Sequence, residues 1–390
     1  MAARELEENT PEEQLAYVEP ITGLFHYGWA ILSLIFRSHE RRNDEFGSLV
    51  YWMNWIKRRT NMWDPTKGRV VEFGKCNSFF NHLTDAHLLA AVAVELGVDS
   101  WNGIQEKLAS ENWRKTIEAV SKRISNPGLV FSWRQETNET RDVVHENAML
   151  LLQQGLIYRR FSQATRVGDT GWIQHCLKFF TIWLQNDDPK CGTLSNYRAE
   201  SVHIMACLTH IWSDDFRTHW LENCLVNPSG SRKGWMPDDQ YGELVVREMK
   251  DKFSAVNANH FRNIMSRQVM FNQEVRESIY RDIGATEHYQ HSSAVTAVPD
   301  VKSLTEKLLR ERVFHRTPGR THCSDDARLL ITPSIDIFCL GCAKIATGFT
   351  AEHYKDSKLK DNNGNLRSVD HVEEPEEGSE LGETLRMELD

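Results

Sequence analysis

The chain has no apolar run long enough to cross a bilayer. Its longest, LFHYGWAILSLIF from Leu24 to Phe36, has thirteen residues with His26 and Ser33 inside it, against the roughly 20 a spanning helix needs. It reads as a buried element, and no membrane partner is expected. No secretory or transit leader is expected from the first residues, MAARELEENTPEEQ, which are acidic and polar. The expected location is intracellular, nucleus or cytoplasm.

Familiar catalytic signatures are missing as well. No glycine-rich phosphate loop and no Gly-x-Ser-x-Gly elbow occurs, which disfavours nucleotide hydrolysis and serine-esterase chemistry. His145-Glu146-Asn147 lacks the second histidine of a zinc-protease helix. The eight cysteines are scattered, mostly inside apolar stretches; in a chain without a leader they read as reduced, buried thiols rather than a disulfide framework. Charge of one sign is short everywhere except the end. Asp370 to Asp390 carries nine acidic residues and one basic, leaving 45 basic and 46 acidic side chains in the rest. That balance neither requires nor excludes nucleic acid, since binding depends on a local patch. The basic clusters Lys57-Arg58-Arg59, Arg159-Arg160 and Arg232-Lys233 are what solvated helix faces ordinarily carry.

What is present is helix. Leu49, Val50, Met53 and Ile56 follow Gly47 at helical spacing. Residues 77–97 end at Gly97, a C-terminal cap. WRKTIEAVSKRIS stops before Asn126-Pro127-Gly128, and Thr140 to Gly168 forms a long segment ending at glycine. Asp169 then caps TGWIQHCLKFFTIWLQN. Two helices joined at Ser213-Asp214 follow, then helices through Phe253, from about Asn257 to Asp282, and over DVKSLTEKLLRERVF. LAYVEPITGLF is the best strand candidate, and from Lys355 onward too little apolar surface remains for folding.

The most unusual stretch is NCLVNPSGSRKGWMPDDQYGELVVREMK, residues 223–250. One reading is a well-made helix start. Asn227-Pro228-Ser229-Gly230 is a turn, Pro237 suits the first helical turn, and Asp238 and Asp239 face the positive end of the helix dipole. Tyr241, Leu244, Val245, Met249 and Phe253 then form a buried stripe, with Asp239, Glu243, Arg247 and Lys250 on the polar face. The other reading is chemical. Asp239 and Glu243 are one turn apart, and two such carboxylates can hold Mg²⁺ or Mn²⁺ if a third arrives from elsewhere. Cys339-Leu-Gly-Cys342, with His322, Cys323 and His353 around it, is a zinc alternative. Its setting, IDIFCLGCAKIA, favours packed thiols.

Four landmarks in order, PITGLFHYGWAIL, RDVVHENAMLLLQQGLIYRRFSQATRVGDTG, WLENCLVNPSGSRKGWMPDDQYGELVVREMK and GATEHYQHSS, resemble the fungal family called domain of unknown function 6589 over about residues 17–320. The resemblance implies a transposase-like origin in mobile elements and a ribonuclease-H-like core. There, carboxylates from separate strands and a late helix would bind two metal ions for phosphodiester cleavage. It implies Asp239 and Glu243 as metal ligands, Asp238 as an auxiliary and His26 as a site-facing residue. Family members carry a strand ending in Gly-Asp-Gln ahead of Gly-Leu-Phe-His. Only MAARELEENTPEEQ occupies that space here, so the implied form is inactive unless an acid such as Glu19 substitutes.

The expectation is a mainly α chain: a polar segment at 1–16, one large helical domain at 17–352, its helices around a small incomplete sheet, and a disordered acidic tail at 353–390. The expected partner is DNA. The rival is a non-catalytic helical interaction domain whose acidic tail meets a protein.

Overall fold

A computed structural model describes residues 23–41, 45–57, 62–64, 67–110, 113–191, 195–252, 297–321 and 331–347. The described part is mainly α. Among the described residues there are thirteen helices. The first, α1, spans Leu24–Ser38, followed by α2 at Leu49–Trp55. A short antiparallel ladder, β1 (Trp63–Asp64) with β2 (Arg69–Val70), precedes α3 at Phe73–Leu96. Then come α4 (Trp101–Ser110), α5 (Trp113–Ile124), α6 (Leu129–Arg134), α7 (Val143–Val167), α8 (Thr170–Leu184) and α9 (Ser195–Ala206). A π turn at Cys207–Ile211 leads to α10 (Asp214–Asn223). The ladder β3 (Leu225–Val226) with β4 (Met236–Pro237) then sets up α11 at Asp238–Lys252. Last are α12 (Ala297–Arg310) and α13 (Ile337–Ala346).

The local causes are legible. Gly97 and Gly168 end α3 and α7 in the left-handed region, at φ 67° and 75°, where a side chain would be strained. Asp142 and Asp169 cap α7 and α8 by accepting the His145 and Trp172 amides. Ser213 caps α10 through the Phe216 amide, an example of the N-cap preference for short polar side chains. LFHYGWAILSLIF is the buried helix α1, with Tyr27, Ile31, Leu32, Leu34 and Ile35 wholly enclosed.

Two long helices organise the packing. α3 lies against α12, α5 and α7, and α7 against α8, which carries α9 and α13 on its other side. Their shared core holds Trp52, Phe79, Phe80, Tyr158, Phe180 and Trp183. Close approach of α3 and α7 requires Gly155, since any Cβ there would run into the Thr84 side chain. Ion pairs sit at the edges of this core. Asp142 is almost fully buried and bonded bidentately by Arg320 (2.9 and 2.7 Å). Glu146 is buried beneath Arg141 (2.7 Å) and Arg134 (3.6 Å).

Several expectations change. Leu24 and Phe25, expected in a strand, begin α1, and residues 15–22 lie outside the described residues. The expected small sheet is, among the described residues, two antiparallel ladders of two residues per strand, and no sheet of ribonuclease-H size is among them. Pro237 is paired with Leu225 in the second ladder, one residue ahead of the helix. The helix expected over 257–282, GATEHYQHSS and the acidic tail lie outside the described residues. Among the described residues no helix is long and apolar enough to cross a membrane.

Candidate functional site

The residues around Asp239 are brought in by β3–β4. This ladder pairs Leu225 with Pro237 and Val226 with Met236, and the Asp238 amide adds a bond to the Cys224 carbonyl at 3.3 Å. Between the strands, the Asn227–Gly234 turn is closed by Asn227 Nδ2 donating to the Ser231 carbonyl (2.9 Å) and by Gly230 at φ 62°. Trp235 lies over Gly168 at the end of α7, where a Cβ would meet its indole ring. The turn motif and the glycine closing the long helix therefore touch, although 67 positions separate them.

This anchoring aims the first turn of α11 at the first turn of α1. α1 begins at Gly23, which has no side chain to cap it. Asp239 does that work from outside. Its Oδ1 accepts the Phe25 amide at 3.0 Å, and its Oδ2 accepts the His26 amide at 3.1 Å and lies 2.9 Å from His26 Nδ1. A carboxylate here satisfies orphan amides and opposes the helix dipole. Gly23 is necessary for the approach, because a Cβ at that position would collide with the Asp239 carboxylate. Asp239 therefore turns inward, with its side chain 19 % exposed, instead of lying out on the polar face.

His26 is not a core histidine. Its side chain is 45 % exposed, with the ring edge against Phe25. Nδ1 faces Asp239 and Nε2 faces Glu243 Oε1 at 3.9 Å; the Glu243 side chain is 57 % exposed. The structure thus gathers His26 from the first landmark and Asp239 and Glu243 from the third. Asp238 stands beside them and accepts the Asp239 amide at 2.8 Å. Desolvation raises its pKa, the Asp239 charge adds to that, and the backbone N–H bond opposes it. Sequence reasoning missed Tyr197 on α9. Burial raises its phenol pKa, followed by the negative charges of Asp239 and Glu200, and its ring meets Tyr27 edge-on. Only Gly23, unusual just ahead of an apolar helix, hinted at a close approach.

The donor set decides what an ion would find. Both Asp239 oxygens are already engaged by three N–H or ring-nitrogen partners. That leaves His26 Nε2 and Glu243, one nitrogen and one carboxylate, close enough for a single ion with Asp239 as the group orienting the imidazole. Among the described residues no set of three His, Cys, Asp or Glu side chains converges on one point. These residues do not fit a two-metal, three-carboxylate centre. On the zinc alternative, Cys339 and Cys342 are half-buried on α13, and burial pushes the Cys339 thiol up to about 12; His322, Cys323 and His353 lie outside the described residues.

The HEN triplet that opens α7 is structural. His145 Nδ1 meets the Val313 carbonyl at 3.0 Å, Glu146 sits under its arginines, and Asn147 holds a distant backbone segment.

Residues 1–291 match the profile of a family of unknown function (DUF6589). The chain belongs to that family. The match takes in α1 through α11, and with them every residue of the His26–Asp239–Glu243 cluster and the turn that places it. Neither the curated proteins nor the solved structures contain a match to this DUF6589 chain.

Proposed function

We propose that this chain is a transposase-derived protein that binds DNA, and that its nuclease-like centre serves as a structural clasp without turnover. The observation carrying the proposal is the engagement of Asp239. A carboxylate that already holds two helix amides and a histidine keeps at most one acceptor position, on Oδ1, for an ion or a phosphate group. His26 Nε2 and Glu243 would hold at most one Mg²⁺ or Mn²⁺ ion, which would supply Lewis-acid polarisation of a phosphate oxygen. Support for the DNA partner is the family resemblance, joined by the exposed Arg232 and Lys233 on the turn leading into the site.

The test is binding of duplex DNA across a salt series. Affinity should fall steeply with salt through counterion release, and replacing Arg232 and Lys233 by alanine should reduce that slope by about 2. Absence of binding at low salt discards the DNA role. One observation then favours a protein-interaction domain: α10 has no buried residue, its Phe216 is 39 % exposed, and Ile211 just ahead of it is 58 % exposed. The metal role is read separately. Mn²⁺ should raise the melting temperature of the natural chain and not that of Asp239→Ala/Glu243→Ala, and an equal response of both removes it.

A further inference from the structure

Residues 331–336, Ile-Thr-Pro-Ser-Ile-Asp, run without helix or strand across the molecule before α13, beyond the region matched to the family. Their main chain is nevertheless bonded on both sides of Pro333, mostly by side chains. The Thr332 amide donates to Glu45 Oε1 at 2.6 Å, and the Thr332 carbonyl accepts from Asn147 Nδ2 at 2.9 Å and Arg41 Nη1 at 3.2 Å. The Ser334 amide donates to Asn147 Oδ1 at 2.7 Å, and the Ser334 carbonyl accepts from Arg134 Nη2 at 2.6 Å. The Ile335 amide donates to the Ser38 carbonyl at 2.9 Å. One carboxamide thus spans a carbonyl and an amide two residues apart, which is how an extended peptide is read independently of its side chains. Pro333, whose nitrogen carries no hydrogen, falls between the two amides that Glu45 and Asn147 accept.

Side chains add selectivity. Ser334 is 3 % exposed, with its hydroxyl 3.0 Å from His39 Nδ1, while His39 Nε2 lies 3.1 Å from Gln154 Oε1. Burial drives the His39 pKa down to about 3, with the Arg41 charge second, so the ring is neutral. A neutral ring that donates from Nε2 must accept at Nδ1, and the Ser334 hydroxyl is then the donor. Ile331 is buried, whereas Thr332 and Pro333 are exposed, the Thr332 hydroxyl donating to Glu45 Oε2 at 3.2 Å. The cleft selects an extended segment with a branched apolar residue and, three positions on, a small hydroxyl residue.

We propose that Ser38, His39, Arg41, Glu45, Arg134 and Asn147 form a peptide-binding groove that reads main chain, and that residues 331–336 are its ligand, supplied by the same chain. The groove side chains are buried charges and amides that need partners, so occupancy by this segment is what makes the groove compatible with a folded core.

The experiment uses the full chain carrying Ser334→Pro, which removes the amide held by Asn147, and a fluorescent peptide of residues 329–337. The peptide should raise anisotropy with the Ser334→Pro chain and not with the natural chain, whose groove is filled. Adding Asn147→Ala to Ser334→Pro should weaken the binding at least tenfold. Equal binding to natural and Ser334→Pro chains, no binding to either, or indifference to Asn147→Ala overturns the proposal. If Ser334→Pro shows no cooperative melt, hydrogen exchange on the natural chain decides. The Thr332, Ser334 and Ile335 amides should open together and faster than those of α7, and Asn147→Ala should speed them selectively. Exchange only with the whole core would make the segment an ordinary part of that core.

Discussion

Asp239 caps a helix to which it is not joined: its Oδ2 lies 2.9 Å from His26 Nδ1 and 3.1 Å from the His26 amide, 213 positions away in sequence. This contact joins the first turn of α1 to the first turn of α11. Its energetic weight can be separated from that of its neighbour Glu243.

Asp239→Ala should cost about 1–3 kcal/mol, from a lost cap and a lost charge at a helix N-terminus. Glu243→Ala, at a side chain 57 % exposed, should stay within about 0.5 kcal/mol. Denaturant unfolding of both variants measures the contrast, and equal losses would remove the clasp from the account. Gly23→Ala should behave like Asp239→Ala, because the added methyl displaces the same carboxylate.

Arg320→Ala should be far more damaging, at about 3–5 kcal/mol. It strips the bidentate partner from Asp142, whose side chain is 1 % exposed, leaving a buried charge uncompensated. The joint Asp142→Asn/Arg320→Met change should recover part of the loss. A single Arg320→Ala cost below about 1 kcal/mol, by urea unfolding, would contradict the buried pair.

Stability should fall on mild acidification. Burial lowers the pKa of His39 to about 3 and of His87 to about 4, against an unfolded value near 6.5. The unfolded chain therefore binds more protons than the folded one below about pH 6.5, so stability decreases as pH falls from there towards about 4. Unfolding free energy followed between pH 7 and 5 should show this slope, and His87→Phe, where one ring nitrogen bonds only the Leu83 carbonyl, should flatten it.

Thiol chemistry should be slow. Cys76, Cys176, Cys191 and Cys224 are buried, and desolvation pushes each thiol up to about 12. Thiolate is the reactive form. Native labelling by a maleimide at pH 7.5 should leave these four unmodified, and denaturant should expose them. Rapid native labelling of any of them, read by peptide mass spectrometry, would contradict the packing.

Gly155→Ala should destabilise by about 1–3 kcal/mol through overpacking, since the new methyl meets Thr84 across the α3–α7 seam. Reducing the opposing residue with Thr84→Ala, which removes both atoms the methyl meets first, should restore part of it.

The sequence by itself determined several helices, and where α3 and α7 stop and α8 and α10 start. Gly97, Gly168, Asp169 and Ser213 act within one turn of chain, so their effects follow from local dihedral and hydrogen-bond requirements alone. It also determined that the run from Leu24 to Phe36 is buried, because nearly all of its side chains are apolar. Tertiary structure decided the rest. That His26 meets Asp239, that Asp239 is filled by amides, and that Asn147 grips residues 332 and 334 depend on how α1, α7 and α11 pack. The spacing of Asp239 and Glu243 was readable, but spacing on one helix cannot say which carboxylate turns inward. Gly23 decides that by leaving room for the Asp239 carboxylate at the start of α1.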